Sequence, residues 1–363
     1  MFKDFSRLSL AQRRLVFILI FGGFLALLLG ITVLLASSAL NANARQQSVA
    51  LVETVSVRQF AALPDSDAYP ASVVVAPDGT IYTGSYATGA IYRVDVDGNA
   101  AELPGTRTEI GAALGLAFAA DGALLVVDQI DTDPRSSGGS LVRVPLNGDV
   151  IDTFFALPAD GFVAPQDVAV DATGAIYISD SGLNQVYKFD ADGRNGVVWW
   201  IPPSYLTAAR LAVSGLVYDA TTDTLLITEP EGGVIFRVAL SDGTTTEVYR
   251  HGAGAEFPPG FNGITVTSDG AIYAAALGQN GIVLVQPPAA DAPANPDGTP
   301  ATATLAYIAG AFRGAADVAF DAPRNRLIVA NFDQSSLVLP LVEPQLPFAL
   351  DVIEFRSPDA PGT

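Results

Sequence analysis

The sequence holds no cysteine, one histidine, two tryptophans and half as many basic as acidic side chains, 19 Lys and Arg against 38 Asp and Glu in 363 residues. The missing cysteine excludes disulfides, thiolate metal ligands and cysteine nucleophiles, so stability has to come from packing. With His251 as the only histidine, a Ser-His-Asp triad has one place to form and a histidine-rich metal centre has none. His251 lies between Arg250 and Gly252 in a predicted loop, where an exposed side chain is the plainer reading. The formal charge of −19 excludes nucleic acid as a partner. An acidic surface is also repelled by anionic headgroups, and solubility is its simplest use.

What is present is apolar: half of the residues are hydrophobic and 16% charged, which calls for a large core, a membrane segment, or both. Leu15 to Ala36 (LVFILIFGGFLALLLGITVLLA) carries no charge, and as a helix it would be roughly 33 Å long, enough to cross a bilayer core. A cleaved signal peptide is the rival, since Ala42-Asn43-Ala44 resembles a cleavage site, but the apolar run is longer than a signal core of roughly 7 to 15 residues. Lys3, Arg7, Arg13 and Arg14 precede the run and Arg45 alone follows it closely, so a cytoplasmic N-terminus (1–14), a transmembrane helix (15–36) and an exported remainder are expected. Gly22, Gly23 and Gly30 would permit close approach of another membrane helix, as in an accessory subunit of a membrane complex.

Beyond a linker at 37–50, one pattern recurs six times: an apolar strand, a tight turn usually on Asp or Gly, and a second β-rich strand. The copies are Ser72 to Ser85 (SVVVAPDGTIYTGS), Gly115 to Asp128 (GLAFAADGALLVVD), Asp167 to Asp180 (DVAVDATGAIYISD), Gly215 to Glu229 (GLVYDATTDTLLITE), Gly263 to Ala276 (GITVTSDGAIYAAA) and Asp317 to Asn331 (DVAFDAPRNRLIVAN). Their turns fall about 43 to 55 residues apart, the period of a four-stranded blade. A third strand follows, as in Ala90 to Asp95 and Gln185 to Asp190, then a further turn at Asp97-Gly98, Asn147-Gly148, Asp192-Gly193 or Asp242-Gly243. No segment after residue 45 sustains a helical period. The fold expected is all-β, a six-bladed β-propeller spanning 51–357 with one N-terminal transmembrane helix. Val52 to Leu63 would close the ring beside Leu350 to Phe355. The Pro-rich stretch 286–302 reads as a surface insertion in the fifth blade and 358–363 as a tail.

Pro165 to Asp192 (PQDVAVDATGAIYISDSGLNQVYKFDAD) resembles an NHL repeat, and Pro259 to Tyr273 (PGFNGITVTSDGAIY) resembles a blade of the SMP-30/gluconolactonase-like family, with strictosidine-synthase-like proteins sharing the look. The resemblance covers roughly residues 65 to 345 and is diagnostic of fold more than of activity. It implies a divalent cation at the top of the channel, held by a glutamate opening the first blade, an asparagine in an NG pair and an aspartate in a PDG triplet. Asn262-Gly263 matches the asparagine, so Asn262 is the one metal-ligand candidate. The first-blade position reads Tyr69-Pro70-Ala71, without glutamate, and Ala316-Asp317-Val318 places its aspartate one residue late, a change of face on a strand. The family's metal site is therefore not carried over and no cofactor is required, although a channel Ca²⁺ or similar cation stays open.

Two sets of candidates follow. Asp128, Asp180, Glu229 and Asn331 end second strands, and Gln166, Asp167, Asn262 and Asp317 open first strands, so all eight are expected at the channel mouth. Clustered carboxylates there would raise one another's pKa or attract a hard cation. The plainer role is capping of loop backbone. Blade-to-blade loops add Trp199, Trp200, Tyr205, Arg210, Arg250, His251, Phe261 and Arg313, with Arg107, Phe162, Phe257 and Phe312, as a surface for a protein or small ligand. Trp199 and Trp200 could equally belong to an outer strand, one of them packed between blades. The Asp-rich turns at Asp95 and Asp190 lack calcium-loop spacing, and Asp128 to Asp133 reads as a solvated loop. The function expected is a tethered binding or scaffold module, possible partners being the membrane, a membrane complex or a small molecule. A metal-dependent lactonase or esterase using Asn262 with Asp167 or Asp317 is the alternative.

Overall fold

The computed structural model of the protein describes residues 9–44, 47–130, 132, 138–148, 150–153, 161–203, 213–252, 257–286, 288, 303–339 and 342–356. Tyr205, Arg210, most of 286–302 and the tail 358–363 fall outside these. The chain divides into two compact units, Met1–Gln46 with Ser335–Gln345, and Gln47–Gln334 with Leu346–Thr363.

In the first unit, helix α1 (Leu10–Ala44) runs longer than the apolar stretch that defines it. Its part Leu10–Ala36 is long and apolar enough to cross a membrane, a property shared by anchors and signal sequences. The large side chains along it are exposed, Leu34 by 71% and Phe17 by 66%, and a Cβ at Gly22, Gly23 or Gly30 would meet nothing.

In the second unit, β1 (Val49–Ala50) and β2 (Val55–Ala62) precede six sheets. Blade one is β3 (Pro70–Val75), β4 (Ile81–Ser85), β5 (Ile91–Val94) and β6 (Ala100–Glu102); blade two is β7 (Ala113–Phe118), β8 (Leu124–Asp128), β9 (Ser140–Val144) and β10 (Asp152–Thr153). Blade three is β11 (Pro165–Val170), β12 (Ile176–Asp180), β13 (Gln185–Phe189) and β14 (Val197–Trp200); blade four is β15 (Leu216–Asp219), β16 (Thr224–Glu229), β17 (Val234–Ala239) and β18 (Thr245–Arg250). Blade five is β19 (Phe261–Val266), β20 (Ile272–Ala276), β21 (Gly281–Gln286) and β22 (Thr304–Gly310), and blade six is β23 (Ala315–Asp321), β24 (Arg326–Asn331) and β25 (Ala349–Phe355). Every pairing is antiparallel, and apart from β1 with β22 and β2 with β25 the paired strands are sequence neighbours. This is the six-bladed propeller expected from the repeats.

Closure follows the expected route. β2 adds to the outside of blade six, in register from Val55 opposite Phe355 to Ala62 opposite Ala349, so the first and last parts of the fold share one sheet and its edge is covered. The expected linker 37–50 is structured for much of its length: α1 continues to Ala44, and β1 pairs with the outer strand of blade five, Val49 opposite Gly310.

The second strands explain the unbroken apolar runs in the repeats. They are buried on both faces, because each blade packs on two neighbours. Leu124 and Val126 of β8 join a cluster with Tyr82 and Ile91 of blade one, while Leu125 and Val127 join Ile176 and Ile178 of blade three. Six such clusters lie one at each blade boundary. The hairpin turns carry glycine where the backbone demands positive φ, as at Gly98 (89°) and Gly243 (72°). Asp95 Oδ1 accepts from the amides of Asp97 and Asn99, 2.9 Å each, so these acidic turns are hairpin turns.

Candidate functional site: the central channel

The six inner strands, β3, β7, β11, β15, β19 and β23, enclose a channel cavity of about 240 Å³, lined from every blade, with Val73, Leu116, Asp167, Leu216, Ile264 and Asp317 among the lining residues. Five of these strands shift register near their start, at Pro70/Ser72, Ala113/Leu116, Pro165/Val168, Phe261/Ile264 and Ala315/Asp317. A bulge leaves a residue out of the ladder and re-aims its side chain. The residues without a ladder partner are Ala71, Leu114 with Gly115, Gln166 with Asp167, Asn262 with Gly263, and Ala316, while Asp317 stays paired opposite Ala330.

The two aspartates are three blades apart and do the same work. Asp167 Oδ1 accepts from the amide of Val168 at 2.8 Å, and Oδ2 from that of Leu216 in the next blade at 2.7 Å. Asp317 Oδ1 accepts from Val318 N and Oδ2 from Val73 N, both at 2.8 Å, Val73 again being in the next blade. On the other side each carboxyl lies against a glycine of the preceding blade: a Cβ on Gly115 would overlap Asp167 Oδ1, and one on Gly263 would overlap Asp317 Oδ1. One aspartate thus ties blades two to four and the other ties blades five, six and one. Only glycine leaves room for them.

Among the described residues, Asp167 and Asp317 are the only charged side chains lining the cavity. Part of each carboxyl is open to the channel, but protein surrounds both, so bulk water screens them weakly. Burial raises the pKa of Asp167 against the lowering effect of its two amide donors. Burial raises Asp317 further, with the charge of Asp167 adding to it. Two carboxylates that share a low-dielectric space resist ionising together.

The strand-end acids reach the same end of the blades, since Asp128 pairs with Ala113 and Asp180 with Pro165, yet they serve the loops. Asp128 Oδ1 accepts from the amides of Gly111, Ala112 and Ile130 at 3.0, 3.1 and 2.9 Å. Asp180 accepts from Val163, Ala164 and Leu183 at 2.8, 3.0 and 3.1 Å. Glu229 accepts from Glu231 at 2.9 Å and Gly232 at 2.6 Å, while burial outweighs these donors and pushes its carboxyl up to about 7. Asn331 accepts from Arg313 N at 3.3 Å and donates to the carbonyl of Ala349 at 3.4 Å. Gln166 is half-buried in the β11 bulge.

Asn262 is half-buried before Gly263, and its Oδ1 accepts from Ser214 Oγ at 2.6 Å. Among the described residues no three Asp, Glu or His side chains come together as a metal-holding group. With the asparagine oxygen already engaged and both channel aspartates bound to backbone amides, the residues present do not fit the cation site that the resemblance implies.

Four of the aromatic loop candidates are interior. Trp200 is buried against Phe236, ring centroids 5.5 Å apart, and its Nε1 donates to Thr245 Oγ1 at 2.8 Å, so it packs between blades three and four. Trp199 is half-buried, edge-on to Tyr177. Phe162, Phe261 and Phe312 are buried. Arg313 pairs with Asp333, Arg250 with Glu247, and Arg107 with Asp65 and Glu102. His251 Nδ1 lies 3.2 Å from the Tyr249 hydroxyl. Among the described aromatic candidates Phe257 alone is freely exposed, at 86%.

Hydroxyls on the second strands escaped the sequence reading. Ser179 Oγ donates to Ser214 O at 2.6 Å and Thr228 Oγ1 to Asn262 O at 2.7 Å, each reaching the next blade. The recurrent Ser or Thr just before the strand-end acid, as in Ser179-Asp180 and Thr228-Glu229, was the available signal.

No protein-family model and no curated protein matches the sequence. Solved structures match the fold. A gluconolactonase from Xanthomonas campestris superposes with a TM-score of 0.55 at 17% identity, over 84% of this chain and 91% of its own. Virginiamycin B lyase from Staphylococcus aureus gives 0.53 at 15%, over 83% and 100%, and an auxiliary nutrient binding protein from Bacteroides ovatus gives 0.57 at 14%, over 84% and 77%. What likeness at this identity establishes is architecture: the chain is a six-bladed propeller of the kind built by gluconolactonases and virginiamycin B lyase.

Proposed function

We propose that this protein is a membrane-tethered binding or scaffold propeller, held by α1 with its basic N-terminus in the cytoplasm and its blades on the other side. The observation that carries this reading is the occupation of the channel chemistry. Asp167 and Asp317 accept from amides of two blades each, and Asn262 accepts from Ser214. Groups so engaged position strands; a hydrolytic site needs a carboxylate free to activate water or a cation to polarise the substrate. The charge asymmetry around the apolar run supports the orientation, and a nutrient binding protein among the fold's neighbours supports a ligand-holding role.

The test uses the full chain expressed in membranes. It should resist carbonate extraction, bring down a partner or small molecule on gentle detergent purification, and fail to hydrolyse a panel of lactones and esters with Ca²⁺ or Mn²⁺ present. Cation-dependent turnover that is lost in Asn262→Ala would replace this reading with the lactonase one.

A further inference from the structure

We infer that the loop joining β24 to β25 is a second membrane contact, an apolar wedge that enters the lipid interface beside the tether; this rests on the anchoring role proposed for α1. The corresponding loops of blades three, four and five are short turns, residues 181–184, 230–233 and 277–280, whereas blade six spends residues 332–348. That stretch is unlike a solvated loop. From Gln334 to Val342 it has no charged residue, and Leu337, Val338, Leu339 and Leu346 are exposed by 38, 65, 40 and 52%. Its roots are firm, with Phe332 and Phe348 buried in the boundary between blades six and one. Exposed leucine and valine on an uncharged segment with buried roots suit an interface that accepts apolar side chains.

The position of the tether identifies which interface. β24 ends, and β25 begins, at the end of the blades where Asn331 faces Ala315. Val49, the first residue of β1, pairs with Gly310 at the last residue of β22, which leads to that same end. Near that end Ser48 Oγ donates to Asp351 Oδ2, on the third residue of β25. Five chain steps separate Ala44, the last helical residue, from Val49, a reach of at most about 18 Å when extended. The chain enters β1, and the loop leaves β24 and returns to β25, at one and the same end of the blades, and the nearby Asp333 is neutralised by Arg313. Across the run from Gln334 to Val342 a lipid surface meets matching apolarity and no charge, the loop's exposed Glu343 following that run.

The chain contains no cysteine, so one introduced thiol gives a unique label. The full-length variants Val338→Cys and Asp242→Cys, the second in the β17–β18 turn at the opposite end, are labelled with an environment-sensitive fluorophore and reconstituted in phosphatidylcholine vesicles. Expected at position 338 are blue-shifted emission, at least twofold quenching by shallow spin-labelled lipid and protection from aqueous iodide, with none of these at 242. Equal iodide access and no lipid quenching at both positions would overturn the inference, as would a blue shift at 338 without lipid quenching, which marks a protein or a second copy over the loop. If carbonate strips the protein from the vesicles, the anchor reading falls and this one with it; retention with an unquenched 338 label defeats this one alone.

Discussion

Asp167 and Asp171 sit at either end of β11, and burial works against a charge on both, yet the two carboxyls are driven in opposite directions. Asp171 takes four donors: the amide and hydroxyl of Thr173 at 2.8 and 2.6 Å, the amide of Ala175 at 3.0 Å and the hydroxyl of Tyr177 at 3.0 Å. Burial raises it, but these bonds outweigh burial and its pKa is lowered. Asp167 has two backbone donors and no cation, so burial wins and its pKa is raised. Asp317 repeats Asp167 on β23. Asp219, after burial is offset by Thr221, Arg237 and Thr222, is held down at about 2. With burial opposing charge in every case, the number of donors and the presence of a guanidinium decide the sign. At the hairpin-turn end Asp171 and Asp219 are thus held toward the charged form, and at the channel mouth Asp167 and Asp317 are held against it.

The sharpest way to break this contrast is to crowd the channel pair. Gly263→Ala would drive a methyl into Asp317 Oδ1, with the Asp317 Cα only 2.7 Å away, and overpacking against backbone should cost about 3 kcal/mol in denaturant unfolding. Asp171→Ala removes the acceptor for two amides and the Tyr177 hydroxyl and should cost about 2 kcal/mol at neutral pH. Its sign with pH is fixed by the lowered folded-state pKa: the contribution is present above the unfolded value of 3.8 and lost as pH falls, so wild type and variant should converge in acid.

Asp317→Asn tests the opposite sign. A folded pKa raised above 3.8 means that the native state keeps a proton which the unfolded state releases. Stability from this source is full below about pH 4 and declines as pH rises through the folded pKa. The substitution removes the titrating group and should flatten that decline, by about 1.4 kcal/mol for every pH unit that separates the folded from the unfolded titration. The readout is a smaller fall in Tm from pH 4 to 8. The smallest effect belongs to the other end of the blades. Gly270→Ala meets nothing within 4 Å but keeps a φ of 86°, and should cost about 1 kcal/mol from backbone strain alone.

The fold was legible because a repeat read six times leaves little freedom: each DG or NG turn fixes a hairpin, and buried second strands must be apolar on both faces, as Leu124 to Val127 are. The closing strand was legible for the same reason, a β-rich segment left over before the first repeat. The site was less so. Asp167 and Asp317 opened their repeats in plain view, but that they bridge to Leu216 and Val73 depends on bulges, which shift a strand by one residue without a composition signal. Phe261 and Trp200 look like surface aromatics in a loop-rich stretch, and only the packing between blades shows them inside. The Ser48 contact with Asp351 joins residues far apart in sequence, beyond the reach of any local pattern.

The central claim is that the channel carboxylates are structural ties whose pKa burial raises above the ordinary carboxylate value. Difference infrared spectroscopy of the full chain in detergent at pH 7, wild type against Asp317→Asn and Asp167→Asn, tests it most directly. The account predicts a protonated carboxyl C=O band in wild type that either substitution reduces, unmoved by added Ca²⁺. A spectrum with ionised carboxylates only, or a band that Ca²⁺ abolishes, would contradict it and return the channel to the cation-binding reading.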